Sequence, residues 1–205
     1  NSLMNAKITA IYSAIEFIEK HLKDEISVGD IAASAGYSLY HFIRVFNQTV
    51  QHSPYDYLIR RRLSEAALEL RASDRRIIDI SMDYCFQNHE TFSRAFKRMF
   101  AVQPSQWRSK KNVQSWLLLP RLSMEYLRHI NKKDFLYPKP VAISGDNYVR
   151  FVHGGTEVTL HLTLNYIYHS WFPQSEIVLA YAIDAKHFEV DGNLSKMVAL
   201  IPILR

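Results

Sequence analysis

The sequence predicts an α+β chain: about seven helices over residues 1–111, then a small module over 141–205 with an antiparallel sheet and one main helix. Three observations carry this. Apolar residues recur at helical spacing through the first half. One helical pattern occurs there twice, with Phe-x-Arg-x-Phe at 42–46 and again at 92–96. Beyond residue 112 the texture becomes β-branched and aromatic, with alternation at Tyr148, Arg150 and Val152 against Val149, Phe151 and His153.

Each element follows from local chemistry. Ile8, Ile11, Ile15, Ile18 and Leu22 predict an amphipathic helix over 6–23. Ser27 with Asp30 three residues on is a carboxylate capping box that starts a short helix, and Gly36 stops it. Ser38 is the expected cap of a helix over 39–50 that buries Phe42, Val45 and Phe46. Ser53-Pro54 opens a long helix over 54–72. The pattern then returns: a short helix over 77–84, a turn at 85–88, a cap at Asn88, a helix over 89–100, and Pro104 to Trp107 closing as Pro54 to Tyr57 did. The offset is 49 before the turn and 50 after it, so one residue is inserted there.

Residues 112–140, with Pro138 and Pro140, read as a linker with some helix at its start. Strands are expected over 141–153 and 177–190, with a helix over 156–171 between them. A last strand is expected over 197–203, where Pro202 marks an edge.

Hydrophobic residues make up 48% of 205, enough to bury a core. Cys85 is the single cysteine, which excludes an intrachain disulfide and fits a cytoplasmic protein. The longest apolar runs are too short for a bilayer, so no membrane partner is expected. Of the net charge of +5, residues 1–111 hold 16 basic and 12 acidic side chains, while 112–205 hold 9 and 8. The basic excess therefore sits on the repeated half, as a phosphate-binding half requires.

A short helix, a turn and a second helix is helix-turn-helix geometry, whose second helix enters the major groove. Burying Phe42, Val45 and Phe46 turns Tyr40, His41, Ile43, Arg44 and Asn47 outward. The second copy turns out His89, Glu90, Thr91, Arg94 and Lys97. Arginine can bond two guanine acceptors, glutamate can accept from cytosine, and Thr or Tyr can touch a thymine methyl. Two copies on one polypeptide predict two unequal half-sites on double-stranded DNA. Ser38, Arg61, Arg75 and Lys97 are the candidate phosphate contacts; solvated charge is the bland alternative for each.

Residues 7–108 resemble the DNA-binding domain of the AraC/XylS family. The resemblance rests on IAASAGYSLYHFIRVF, SPYDYLIRRRLSEAALELR and DISMDYCFQNHETFSRAFKRMFAVQPSQWR. It implies a transcriptional regulator with two helix-turn-helix units; RNA polymerase is a further expected partner of the helical face. By position, the family's base-contacting places fall on Tyr40, Ile43 and Arg44, and on His89, Glu90, Thr91 and Arg94. Cys85 stands where the family usually has Gly, which predicts a tighter or shifted second turn.

Residues 141–204 resemble the later part of a GyrI-like effector-binding domain, through YVRFVHGGT, NYIYHSWFPQSE, FEV and ALIPI. This implies a small aromatic or cationic effector, or a homodimer that completes a shortened cleft. Tyr148, Phe151, Tyr166, Trp171 and Glu189 are the candidate effector residues, with plain core as the alternative for the aromatics. Two rival functions stay open. One is a protein-interaction module that uses the helical face without specific DNA binding. The other is a small hydrolase, suggested by His153-Gly154-Gly155 but lacking a G-x-S-x-G nucleophile. No catalytic residue, metal ligand or cofactor is predicted.

Overall fold

The computed structural model describes residues 2–109, 117–133, 135, 139–143, 146–154, 156–179, 188–190 and 197–204. Contacts divide the chain into two compact units, Asn1–Leu127 and Arg128–Arg205.

The first unit opens with α1, Ser2–Lys20. The first repeat is α2, Val28–Ser34, and α3, Leu39–Val50. The long helix α4, Pro54–Ala72, leads into the second repeat, α5, Ile77–Asp83, and α6, His89–Phe100. Then come α7, Pro104–Ser109, and α8, Met124–Ile130, within which the first unit ends at Leu127. The Ser27–Asp30 capping box forms in full. Ser53 Oγ accepts from the Asp56 N–H at 3.0 Å, and Asn88 Oδ1 accepts from the Thr91 N–H at 2.8 Å. Ser38 departs from expectation: it sits at the N-cap of α3 in extended conformation but makes no side-chain cap bond.

The repeated motif is a packing device. Phe42 and Phe46 lie 5.4 Å apart between ring centres, and so do Phe92 and Phe96. Phe46 meets Tyr57 at 6.0 Å, and Phe96 meets Trp107 at 5.8 Å. All six rings are buried. The arginine between each Phe pair faces outward.

The turns match as well, which corrects the expectation of a tighter or shifted second one. Gly36 and Tyr37 donate their N–H groups to Ala33 and Ala32, and Cys85 and Phe86 donate to Met82 and Ser81 in the same pattern. The inserted residue is Gln87, just past the shared corner.

Part of the expected linker belongs to the first unit. Leu119, Leu122, Tyr126 and Leu127 are buried. The Leu119 N–H donates to Ser64 Oγ at 2.9 Å, and its carbonyl accepts from Arg61 at 2.6 Å. The described part of the expected linker holds α8; residues 110–116, at the start of that stretch, lie outside the described residues.

In the second unit the strands are β1, Lys139–Ile143; β2, Asp146–His153; β3, Val178–Leu179; β4, Phe188–Val190; and β5, Met197–Leu204. They form one antiparallel sheet in the order β1-β2-β5-β3, with β4 also on β5. The stretch 141–153 is thus a hairpin rather than one strand. Strand β5 is central, not an edge. Pro202 pairs opposite Tyr148 on one side and falls between the β3 and β4 attachments on the other, where a missing N–H is tolerated. The predicted helix over 156–171 is composite. A 3-10 turn at Glu157–Thr159 precedes α9, Leu160–Tyr166, then a π-helical stretch at Ile167–Trp171 and a short turn at Phe172–Gln174. The Phe172 N–H bonds Ile167 O, five residues back, and Pro173 follows without an N–H to give. No helix among the described residues is long and apolar enough to cross a membrane.

Candidate nucleic-acid interface

Helices α3 and α6 present the candidate reading faces. On α3, Tyr40 is 83% exposed and Ile43 36%, with Arg44, His41 and Asn47 also exposed. On α6, His89, Glu90, Thr91, Arg94 and Lys97 are all exposed. Each of the seven candidate base-reading residues therefore reaches solvent. Phe42, Val45 and Phe46, or Phe92, Phe96 and Phe100, hold the opposite face of the same helix in the core. Long α4 runs between the repeats. At 1.5 Å per residue its 19 residues extend about 28 Å.

The polar side chains on these faces are prearranged. Glu90 Oε1 lies 3.4 Å from Arg94 Nη2, one turn along α6, with both side chains more than 70% exposed. Exposed pairs of this kind are weak and exchange readily for other partners. Ser93 Oγ and His89 Nε2 are 3.3 Å apart. Tyr37, in the turn before α3, stacks its ring on that of His41 at 5.0 Å.

The candidate phosphate contacts divide. Ser38 and Lys97 are exposed. Arg61 is a correction: it is 4% exposed and its guanidinium is fully engaged inside the unit. It donates from Nε and Nη2 to Glu19 at 2.7 and 2.8 Å, to Glu65 at 2.7 Å and to Leu119 O. Burial opposes its charge, but the hydrogen bonds to Glu19 outweigh burial and hold it above the usual range. Arg62 is also buried and binds the Leu22 and Asp24 carbonyls just past α1. Arg75 is exposed but pairs with both Glu69 and Asp83, so a phosphate has to compete with two carboxylates.

Beside the first repeat, His52 is buried and its Nδ1 sits 2.9 Å from Asp56 Oδ2. Burial pushes the Asp56 carboxyl up, but the His52 hydrogen bond and the nearby Arg60 and Arg98 charges leave it below the usual range. Arg98 belongs to α6, so Asp56, in the first turn of α4, feels a charge of the second repeat. The sequence reading missed this link and also missed half-exposed Leu39. The signal for Leu39 was its place at the start of α3, matching His89 at the start of α6.

In the second unit, Phe151 and Tyr166 are core residues. Phe151 packs edge-on against Trp171 at 5.2 Å, and Tyr166 against Phe135 at 4.8 Å. Tyr148 and Trp171 keep partial exposure. Glu189 lies in β4, and its side chain falls outside the described residues. His153 is buried in a hydroxyl network with Thr163 and His129, so the His-Gly-Gly run is anchored in the core at its first residue.

The comparisons with known proteins concern the first unit. The helix-turn-helix domain family is matched over residues 31–110. The right origin-binding protein of Escherichia coli (strain K12) is 37% identical over 108 residues, which is 53% of this chain and 37% of that protein. The chain thus spans well under half the length of that relative. The regulatory protein SoxS of Salmonella typhimurium is 36% identical over 100 residues, 49% of this chain and 94% of SoxS. An AraC-type transcriptional regulator structure from Chromobacterium violaceum is 24% identical, covering 55% of this chain and 100% of that one, with a TM-score of 0.48. With nearly all of SoxS covered at this identity, the chain belongs to the AraC-type family of helix-turn-helix domains.

Proposed function

We propose that the chain is a sequence-specific transcriptional regulator that reads two adjacent major grooves of double-stranded DNA with α3 and α6. The carrying observation is the pair Arg44 and Arg94. They stand exposed at matching places on two helices whose buried Phe pairs have the same 5.4 Å spacing. Arg44 with Tyr40 and Ile43 reads one half-site; Arg94 with His89, Glu90 and Thr91 reads the other. Ser38 and Lys97 anchor to phosphates.

The test is selection of the full chain on a random-sequence DNA library at two salt concentrations. An enriched motif of two blocks about 10 base pairs apart supports the reading. Arg44→Ala and Arg94→Ala should then each cost about 1–3 kcal/mol at their own block. Weak binding that enriches nothing and vanishes with salt overturns it, and leaves the helical face as a protein-docking surface, with RNA polymerase the first partner to test.

The second unit extends the proposal as a shortened GyrI-like module, binding a small aromatic or cationic effector or pairing two chains. The partial exposure of Tyr148 and Trp171 supports this. Titration with planar cations, read by tryptophan fluorescence, tests the effector. Sedimentation as a monomer at high concentration removes the homodimer.

A further inference from the structure

We infer that the two reading helices demand chemically different half-sites: one rich in thymine methyl groups under α3, and one built on a C·G pair under α6. This rests on the proposed DNA reading and gives it a direction.

The argument is a comparison of matched positions. With the offset of 50, Leu39, Tyr40 and Ile43 correspond to His89, Glu90 and Ser93, while Arg44 corresponds to Arg94. The shared arginine gives both helices a guanine reader. The other three places invert in character. Leu39, Tyr40 and Ile43 are 50%, 83% and 36% exposed. They lie within the first turns of α3, at spacings that make them neighbours on the helix surface. Water is a poor environment for such a cluster, and the apolar feature of the major-groove floor is the thymine C5 methyl.

Helix α6 offers only the single methyl of exposed Thr91 in place of that cluster. Glu90 is exposed on a helix that would approach a polyanion, where a carboxylate is repelled by every phosphate. One base edge compensates: the N4 amino group of cytosine, which donates to a carboxylate. Glu90 also sits 3.4 Å from Arg94, one turn away on the same face. Residues four apart rise about 6 Å along a helix, which is roughly two base steps. The cytosine read by Glu90 and the guanine read by Arg94 therefore fall within about two base pairs of each other. The first turn of α3 carries no acid, so the two blocks cannot be exchanged, and the protein binds its operator in one orientation.

The test begins from the selected motif. If the library yields none, the DNA reading falls and this inference with it. Given a motif, each thymine is replaced by uracil, which lacks only the methyl. Wild-type chain should bind about fourfold more weakly for each methyl removed in one block, equivalent to about 0.8 kcal/mol. It should lose less in the other block, where only the Thr91 methyl can meet a thymine. Tyr40→Ala with Ile43→Ala should erase the difference. In the second block, C·G should be preferred by about tenfold, and Glu90→Gln should move that preference toward adenine, which glutamine bonds. All three side chains are on the surface, so thermal melting of each variant should match wild type. Equal binding of thymine and uracil in both blocks, or a Glu90→Gln motif identical to wild type, overturns the inference.

Discussion

Gly36 and Cys85 turn the same corner, with backbone φ of +72° and +62°. The left-handed conformation is free for glycine and costs other residues about 1–2 kcal/mol. The second repeat thus keeps its geometry against the preference of its own residue. The surrounding hydrogen bonds, identical in both copies, outweigh that preference.

Gly36→Ala therefore reports this cost directly. A Cβ at Gly36 meets nothing within 4 Å, so no clash contributes. The expected loss is about 1–2 kcal/mol in urea unfolding of the full chain. A loss under about 0.5 kcal/mol would mean that the first turn relaxes where the second does not. Cys85→Gly should gain no more than Gly36→Ala loses: glycine's backbone entropy enters both exchanges alike, and the partly buried Cys85 side chain is given up.

Glu19 and Arg61 are the buried ion pair of the first unit, with side chains 8% and 5% exposed. Glu19→Ala removes two of the guanidinium's hydrogen bonds, leaves it only half-exposed Glu65 and the Leu119 carbonyl, and should cost about 3–5 kcal/mol. The double variant with Arg61→Met should cost less than Glu19→Ala alone, since no under-compensated charge then stays buried. If Arg61 instead served a phosphate, Arg61→Met would lower the salt dependence of DNA binding by about one unit of slope. The expectation is an unchanged slope.

The helical half was legible because its signals are local. Caps at Ser27, Ser53 and Asn88, Pro54 at a first helical position and the Phe pairs each act within a few residues, and α3, α4 and α6 begin and end where those signals predict. The fate of Arg61 was not legible. A run of three arginines reads as a phosphate patch, and only the fold brings Glu19 and the Leu119 carbonyl around it. Pro202 misled for the same reason: proline predicts an edge, whereas here two short strands attach on either side of it along a central strand. Surface-facing α3 and α6 residues followed directly from helical periodicity, because burial of one face determines the other.

Stability should fall in acid through a specific set of carboxylates. The Ser27 hydroxyl and N–H hold Asp30 below the usual range; Arg76 does so for Asp79 and Arg75 for Asp83. At Glu69 burial works upward, but the hydrogen bonds from Lys23 and Arg75 prevail. Each group binds protons less readily folded than unfolded, so its stabilisation is complete above the ordinary values of 3.8 and 4.5. It is lost as pH falls through the lower folded ones. The urea midpoint should be flat from about pH 7 to 5 and drop below about pH 4.5. Ser27→Ala with Asp30→Asn should soften that drop; an unchanged acid limb would remove the capping box from the account.

Thr163 links two buried histidines of the second unit and dictates their protons. His153 Nε2 lies 2.9 Å from the Thr156 carbonyl, which can only accept, so Nε2 carries hydrogen. In the neutral ring Nδ1 then accepts from the Thr163 hydroxyl at 2.8 Å. Having given its proton there, the hydroxyl accepts from His129 Nε2 at 2.7 Å. Thr163→Val keeps the shape but breaks both links, and should cost about 1–3 kcal/mol for each polar group left facing a methyl. Thr163→Ser, which keeps the hydroxyl, should lose no more than about the burial of one methyl, roughly 0.8 kcal/mol. Imidazole nitrogen NMR gives an independent reading: the neutral His153 ring should show a hydrogen on Nε2 and none on Nδ1, and the Val variant should shift both histidines. Equal stability of the Ser and Val variants would show that packing, not the proton relay, holds this core.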